Sequence, residues 1–171
     1  MIPQIKKILF ATDLSQNSAY AYYYAVHMAK RDEAKIVIFH AIEPLPSMMI
    51  TFEDFVYKVA QDRIKTVKEQ LQKFSKKVDA RMGTSSVEFV SNILVRMGDP
   101  VEEILKAADE EGCDVIVLGT HAKGILEQTV LGSVSSSVLL RTRKPVFVVP
   151  LPSENTTIDL IRTGLLKLNK I

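Results

Sequence analysis

The sequence predicts an α/β fold: an open, doubly wound, five-stranded parallel sheet with helices on both faces. Three observations carry that prediction. Short apolar runs alternate with helical patterns along nearly the whole chain. Most of the runs are continuously hydrophobic, as in Ile8-Leu9-Phe10 and Val115-Ile116-Val117-Leu118, which is what strands covered on both faces require. The segments between them carry helix start and stop residues, clearest at Gly98-Asp99-Pro100 and at Gly112.

Taken in order, Lys7 to Thr12 reads as the first strand and Asp13-Leu14-Ser15 as a turn, with Ser15 placed to cap a helix over Ser18 to Arg31. Ala21, Ala25 and Ala29 give that helix a small face suited to close packing on a sheet. Lys35 to Ile42 is the second strand. A loop from Glu43 to Thr51 holds two prolines and the pair Met48-Met49. The next helix spans Phe52 to about Lys77, with Phe55, Val59, Val67, Leu71, Phe74 and Val78 at helical spacing. Val87 to Val95 is the third strand, with a less regular pattern. Asp99 then caps a helix, Pro100 suits its first position, and Glu102 completes a capping box. That helix runs to Glu111 and stops at Gly112. Val115 to Leu118, a helix over Ser133 to Thr142, and Pro145 to Val149 complete the domain, 1–150. Residues 151–171 form a linker and an amphipathic tail, with Ile158, Ile161, Leu165 and Leu168 on one helical face.

Bulk composition narrows the function classes. A chain of 171 residues with 47 % apolar and 25 % charged residues is an ordinary single globular domain. A formal net charge of +2 supplies no strong field toward nucleic acid or anionic membrane, so neither is expected as a partner. No apolar run approaches the ~20 residues that span a bilayer. The single cysteine, Cys113, allows no internal disulfide, and the N-terminal segment shows no secretory signal pattern. A cytoplasmic setting is the expectation.

The chemistry-bearing region runs from the fourth strand into the helix beyond it. An apolar run ends on Gly119. Thr120-His121-Ala122-Lys123-Gly124 comes next, and Leu131-Gly132-Ser133-Val134-Ser135 then opens a helix. Free backbone amides and a helix N-terminus beside the end of a buried strand suit an anion, most often a phosphate. The bland alternative is a tight strand-to-helix connection without a ligand. Asp13, after the first strand, reads equally as a turn-former or a ligand group. His40 reads as a satisfied core histidine. His121 has no second ligand at metal spacing, so no metal site is expected. Tyr20, Tyr22, Tyr23 and Tyr24 spread around a helix and read as packing, and Cys113 reads as a buried small hydrophobe.

On these residues the chain resembles the universal stress protein family. The resemblance rests on Lys7 to Ser15, Gly98 with Pro100, Asp114 to Thr120, Leu131 to Val134 and Lys144 to Pro150, and covers about Ile5 to Pro150. It implies a Rossmann-like sheet of order 3-2-1-4-5 and binding of ATP, or of AMP or ADP, with Mg²⁺ held mainly by the phosphates. The ATP-binding branch carries Gly-x-x-Gly, nine residues, then Gly-Ser or Gly-Thr. Gly119, Gly132 and Ser133 match, while Ala122 stands in place of the second glycine. Alanine keeps its N–H but resists positive φ.

By the same resemblance, Asp13 and Ala41 flank an adenine, with Ala11 and Thr12 in the same wall. Gly98 and Gly119 line the ribose side. Thr120, His121, Ala122, Gly132, Ser133, Val134 and Ser135 present backbone and hydroxyl groups to phosphates. Lys123, by its charge and its place in the loop rather than by the resemblance, is expected to add positive charge there. A homodimer through the edge strand Val146 to Val149 is also implied, along with a protein partner of unstated kind. Three functions stand at this point. The first is a stress-response nucleotide-dependent switch with no dedicated catalytic residue. The others are a slow ATPase, and a dimeric scaffold that no longer binds nucleotide.

Overall fold

The computed structural model of the chain describes residues 4–44, 53–83, 85–120 and 131–150. Among them the elements run β1 (Lys7–Ala11), α1 (Gln16–Asp32), β2 (Lys35–Ile42), α2 (Glu53–Met82), β3 (Val90–Met97), α3 (Pro100–Glu110), β4 (Val115–Gly119), α4 (Ser133–Arg141) and β5 (Val146–Val149). The strands form one five-stranded sheet of order β3-β2-β1-β4-β5, every pairing parallel. The expected doubly wound α/β architecture is therefore the observed one.

Central β1 pairs on both sides: Ile8 aligns with Ile36 of β2 and with Val115 of β4. Its alternating side chains split the interior into two cores. Ile8 and Phe10 enter one core with Tyr22, Ala25, Leu71 and Val117, under α1 and α2. Leu9 and Ala11 enter the other with Val101, Ile104, Ile116 and Val138, under α3 and α4. The small α1 face works as expected, since Ala21, Ala25 and Ala29 are fully buried. Phe10 packs on Tyr22 and stacks on Phe74, with centroids 5.0 and 6.4 Å away.

Several local expectations need correction. Val87 to Phe89 are not strand: the amides of Phe89 and Val90 both donate to the Ser86 carbonyl, at 2.9 and 3.0 Å, and the turn they form delays β3 to Val90. Val87 is 67 % exposed. The helix expected to end near Lys77 runs on to Met82, because Val78 and Asp79 are still buried against the domain, and it stops at Gly83 with φ +61°. Phe55 lies off the packed stripe of α2 and is 58 % exposed. Asp99 caps α3 as expected, accepting from the Val101 and Glu102 amides at 3.0 Å. The capping box does not close, because the Glu102 carboxylate pairs with Arg141 of α4 at 2.6 Å. Residues 151–171, with the tail, and the Met48-Met49 pair lie outside the described residues.

The long α2 is held at its far end by a buried polar network. Ser86 donates to Asp79 Oδ2 from its amide at 3.0 Å and from its hydroxyl at 2.9 Å. With the Ser86 proton so used, Tyr22 donates to Ser86 Oγ at 2.7 Å. This joins α1, α2 and the approach to β3. Ser86→Ala strands the Tyr22 hydroxyl and removes one of the two Asp79 contacts. We expect a loss of about 1–3 kcal/mol in urea unfolding, with the slope unchanged.

Cys113 is 1 % exposed at the entry to β4. Burial pushes its thiol from 9.0 up to about 11. The unfolded chain releases that proton first, so the contribution is full below pH 9.0 and is lost as pH rises toward about 11. We expect Cys113→Ala to flatten the decline in stability across that window. A thiol reagent at pH 8 should label the native protein far more slowly than the unfolded chain.

Candidate nucleotide site

β1 and β4 are neighbours, but their succeeding helices, α1 and α4, lie on opposite faces of the sheet. A crevice therefore opens beyond their C-terminal ends, where doubly wound sheets bind ligands. A cavity of about 380 Å³ occupies it. Ala11, Thr12 and Asp13 line it from the end of β1, Phe39, His40, Ala41 and Glu43 from β2, and Leu118, Gly119 and Thr120 from β4. Gly132, Ser133, Val134 and Ser135 close it from the start of α4, with Pro100 and Ile104 of α3 beneath.

One end of the cavity accepts hydrogen bonds. Asp13 Oδ1 takes the Ser15 amide at 3.0 Å and the Ser18 hydroxyl at 2.5 Å. Its other oxygen, Oδ2, is buried with no partner among the described residues. A buried, unpaired carboxylate oxygen is costly unless something donates to it. Glu43, exposed at the rim, adds a second acidic group. Thr12 is tied within the protein: its amide donates to Phe39 O, its hydroxyl accepts from Leu14 N, and its carbonyl faces His40 Nδ1 at 2.7 Å.

The other end donates. Gly132 is the N-cap of α4 and offers no side-chain cap. Its own amide is tied to Thr120 O at 2.6 Å, and the first intrahelical bond runs from Ser136 N to Gly132 O at 2.8 Å. The amides of Ser133, Val134 and Ser135 thus sit in the unpaired first turn, at the positive end of the helix dipole. Gly132 lines the cavity with φ −57° and ψ 154°, a conformation open to any residue, so its backbone angles do not call for glycine.

The structure brings together Ala11, Thr12, Asp13, Ala41, Gly119, Thr120, Gly132, Ser133, Val134 and Ser135. It does not bring Gly98 to the cavity wall. Gly98 makes the β3–α3 turn with φ +155°, and a side chain there would meet Glu103 at 2.8 Å. The Ser135 hydroxyl donates to Gly119 O at 2.6 Å, so it braces β4 against α4 rather than offering its proton to a ligand. His121, Ala122 and Lys123 lie outside the described residues. His40 has the satisfied nitrogen expected of it, but it stands half-buried on the cavity wall rather than in the core. Sequence reasoning also passed over Ser18 and Glu43; their one signal is that each comes soon after the C-terminal end of a strand. Among the described residues no three of His, Cys, Asp and Glu gather as a metal site, and no helix is long and apolar enough to cross a membrane.

A sequence model of the universal stress protein family matches residues 4–150. The chain belongs to the universal stress protein family. Among its relatives, universal stress protein MJ0577 of Methanocaldococcus jannaschii is 27 % identical over 158 residues, 84 % of this chain and 94 % of that protein. The solved structure of MJ0577 superposes with a TM-score of 0.70, covering 89 % of this chain and all of the other. A universal stress protein solved in complex with cAMP covers 88 % of this chain and 100 % of its own at 21 % identity and a TM-score of 0.56. One from Archaeoglobus fulgidus, in complex with dAMP, covers 86 % and 99 % at 22 % identity and the same TM-score of 0.56. Both share the fold of this universal stress protein.

Asp13→Asn replaces the unpaired buried oxygen by an amide nitrogen and removes the charge. We expect the ligand-free variant to unfold within about 1–2 kcal/mol of the parent, because loss of the buried charge offsets the unpaired amide N–H that replaces the oxygen and the weaker bonds from Ser15 and Ser18. Thermal unfolding without added nucleotide checks this.

Proposed function

We propose that this universal stress protein is an adenine-nucleotide-binding module that takes ATP, AMP or ADP and whose interactions change with occupancy. The supporting observation is the opposed chemistry of the cavity ends. The Asp13 carboxylate on the cavity wall suits a donor such as an exocyclic amine or a ribose hydroxyl, and the open first turn of α4 suits an anion. A nucleotide carries both groups. The relatives solved with cAMP and dAMP hold adenine nucleotides on the same fold, which favours adenine as the base.

Ala11, Thr12, Asp13 and Ala41 then form the base wall, and Gly119, Thr120 and the Gly132 to Ser135 amides the ribose and phosphate side. His121, Ala122 and Lys123 of the connecting loop belong to the phosphate side in this reading. Mg²⁺ enters with the phosphates and is held mainly by them. No residue is assigned a catalytic role; occupancy acts by binding one conformational or assembly state better than another. We extend the proposal to a homodimer through β5, which among the described residues pairs with β4 alone and leaves Phe147 40 % exposed on the sheet edge. A cytoplasmic setting is proposed on the one cysteine being buried and unpaired.

The test is analysis of ligand released from protein purified without added nucleotide, and then calorimetric titration with ATP and AMP. Bound adenine nucleotide, or micromolar affinity, is expected. Gly132→Val should fold normally, since its backbone angles suit valine, yet weaken binding by roughly tenfold or more by crowding the phosphate approach. An empty protein that ignores millimolar ATP with Mg²⁺ overturns the reading and leaves the interaction scaffold.

A further inference from the structure

β1 ends at Ala11, aligned with Phe39, yet the chain stays tied to β2 for one residue more. The Thr12 amide donates to Phe39 O at 2.9 Å, continuing the ladder. The Thr12 carbonyl does not continue it with a backbone partner. It faces the imidazole Nδ1 of His40, the residue opposite, at 2.7 Å. A carbonyl only accepts, so Nδ1 carries the proton and His40 donates.

The turn beyond Thr12 needs holding. Leu14 adopts φ +62°, a left-handed conformation that a leucine takes only at a cost. That bend, closed by the Leu14 amide on Thr12 Oγ1 at 3.0 Å, lets Asp13, a residue of the cavity wall, spend Oδ1 on Ser15 and Ser18. The turn is thus tethered through Thr12, and Thr12 is held to β2 by its amide and by the imidazole.

We propose that His40 is a positioning residue: it anchors the Thr12 carbonyl so that the strained Asp13-Leu14 turn keeps its place on the cavity wall. Its effect on affinity rests on the nucleotide reading; its effect on the turn does not. The alternative role for an imidazole on a cavity wall is direct contact with the ligand through Nε2, and the two roles call for different replacements. Asparagine keeps an N–H near the Nδ1 position. Glutamine places one nearer Nε2. Alanine removes both.

Amide hydrogen exchange of nucleotide-free protein is measured for His40→Asn, His40→Gln and His40→Ala, together with AMP affinity by calorimetry. The Leu14 and Ser15 amides should exchange faster in the Gln and Ala variants than in the parent and the Asn variant, with Ile116 and Val117 of β4 protected alike in all four. AMP affinity should stay within about threefold of the parent for Asn and fall about tenfold for Gln and Ala, as expected when preorganisation is lost. Unchanged exchange at Leu14 and Ser15 in the Ala and Gln variants overturns the proposal, as does affinity kept by Gln and lost by Asn. If the Ala variant does not fold, the Asn and Gln pair decides. Failure of the parent itself to bind AMP counts against the nucleotide reading alone, and the exchange comparison still decides the role of His40.

Discussion

β1 has to satisfy its backbone on both sides at once, and the architecture is built around that requirement. Lys7–Ala11 is the middle strand, with β2 bonded along one edge and β4 along the other. Parallel strands need crossover helices, and a right-handed crossover places a helix on a face set by the direction in which the chain moves along the sheet. Winding outward from β1 to β2 and β3 puts α1 and α2 on one face. Returning to β4 and β5 puts α3 and α4 on the other. The two separate cores, and the crevice where winding reverses, are consequences of that one placement.

Because β1 is buried on both faces, its side chains carry the packing: Ile8, Leu9 and Phe10 have no exposed surface. Apolar burial of this kind outweighs the ion pairs that decorate the same elements. Lys7 with Glu111, Arg96 with Glu103 and Glu110, and Arg141 with Glu102 are partly or fully exposed, and pairs in such settings contribute about 0–1 kcal/mol each. Their value is in register and angle. Arg141 ties the end of α4 to the start of α3, and Lys7 ties the start of β1 to the end of α3.

The crevice has two ends of opposite chemistry, and both arise from groups left unpaired when their element stops. At α4 these are helix amides ahead of the first intrahelical bond. At β1 it is a carboxylate oxygen left over when Asp13 caps its own turn. Surrounding bonds hold both ends: Ser135 to Gly119 on one side, Thr12 to β2 on the other. A site built this way needs little rearrangement to receive a ligand that donates at one end and carries charge at the other.

Local sequence was enough for the order and type of the elements, the bounds of β2, the Ser15 and Asp99 caps, and the placing of Gly119 and Gly132 at the ends that meet in the crevice. Each of these has a short-range cause: an apolar run, a side chain reaching two or three residues along, a helix start after a loop. Tertiary packing governed whatever depends on residues far apart in the chain. Val87 was denied to β3 by the Ser86 turn and its buried tie to Asp79. Glu102 left its capping box for Arg141, thirty-nine residues away. His40 became a tether for Thr12 only once β1 and β2 lay side by side. Periodicity and capping report which face a residue takes on its own element, but a hydrogen bond between two strand ends exists only after the strands have been paired.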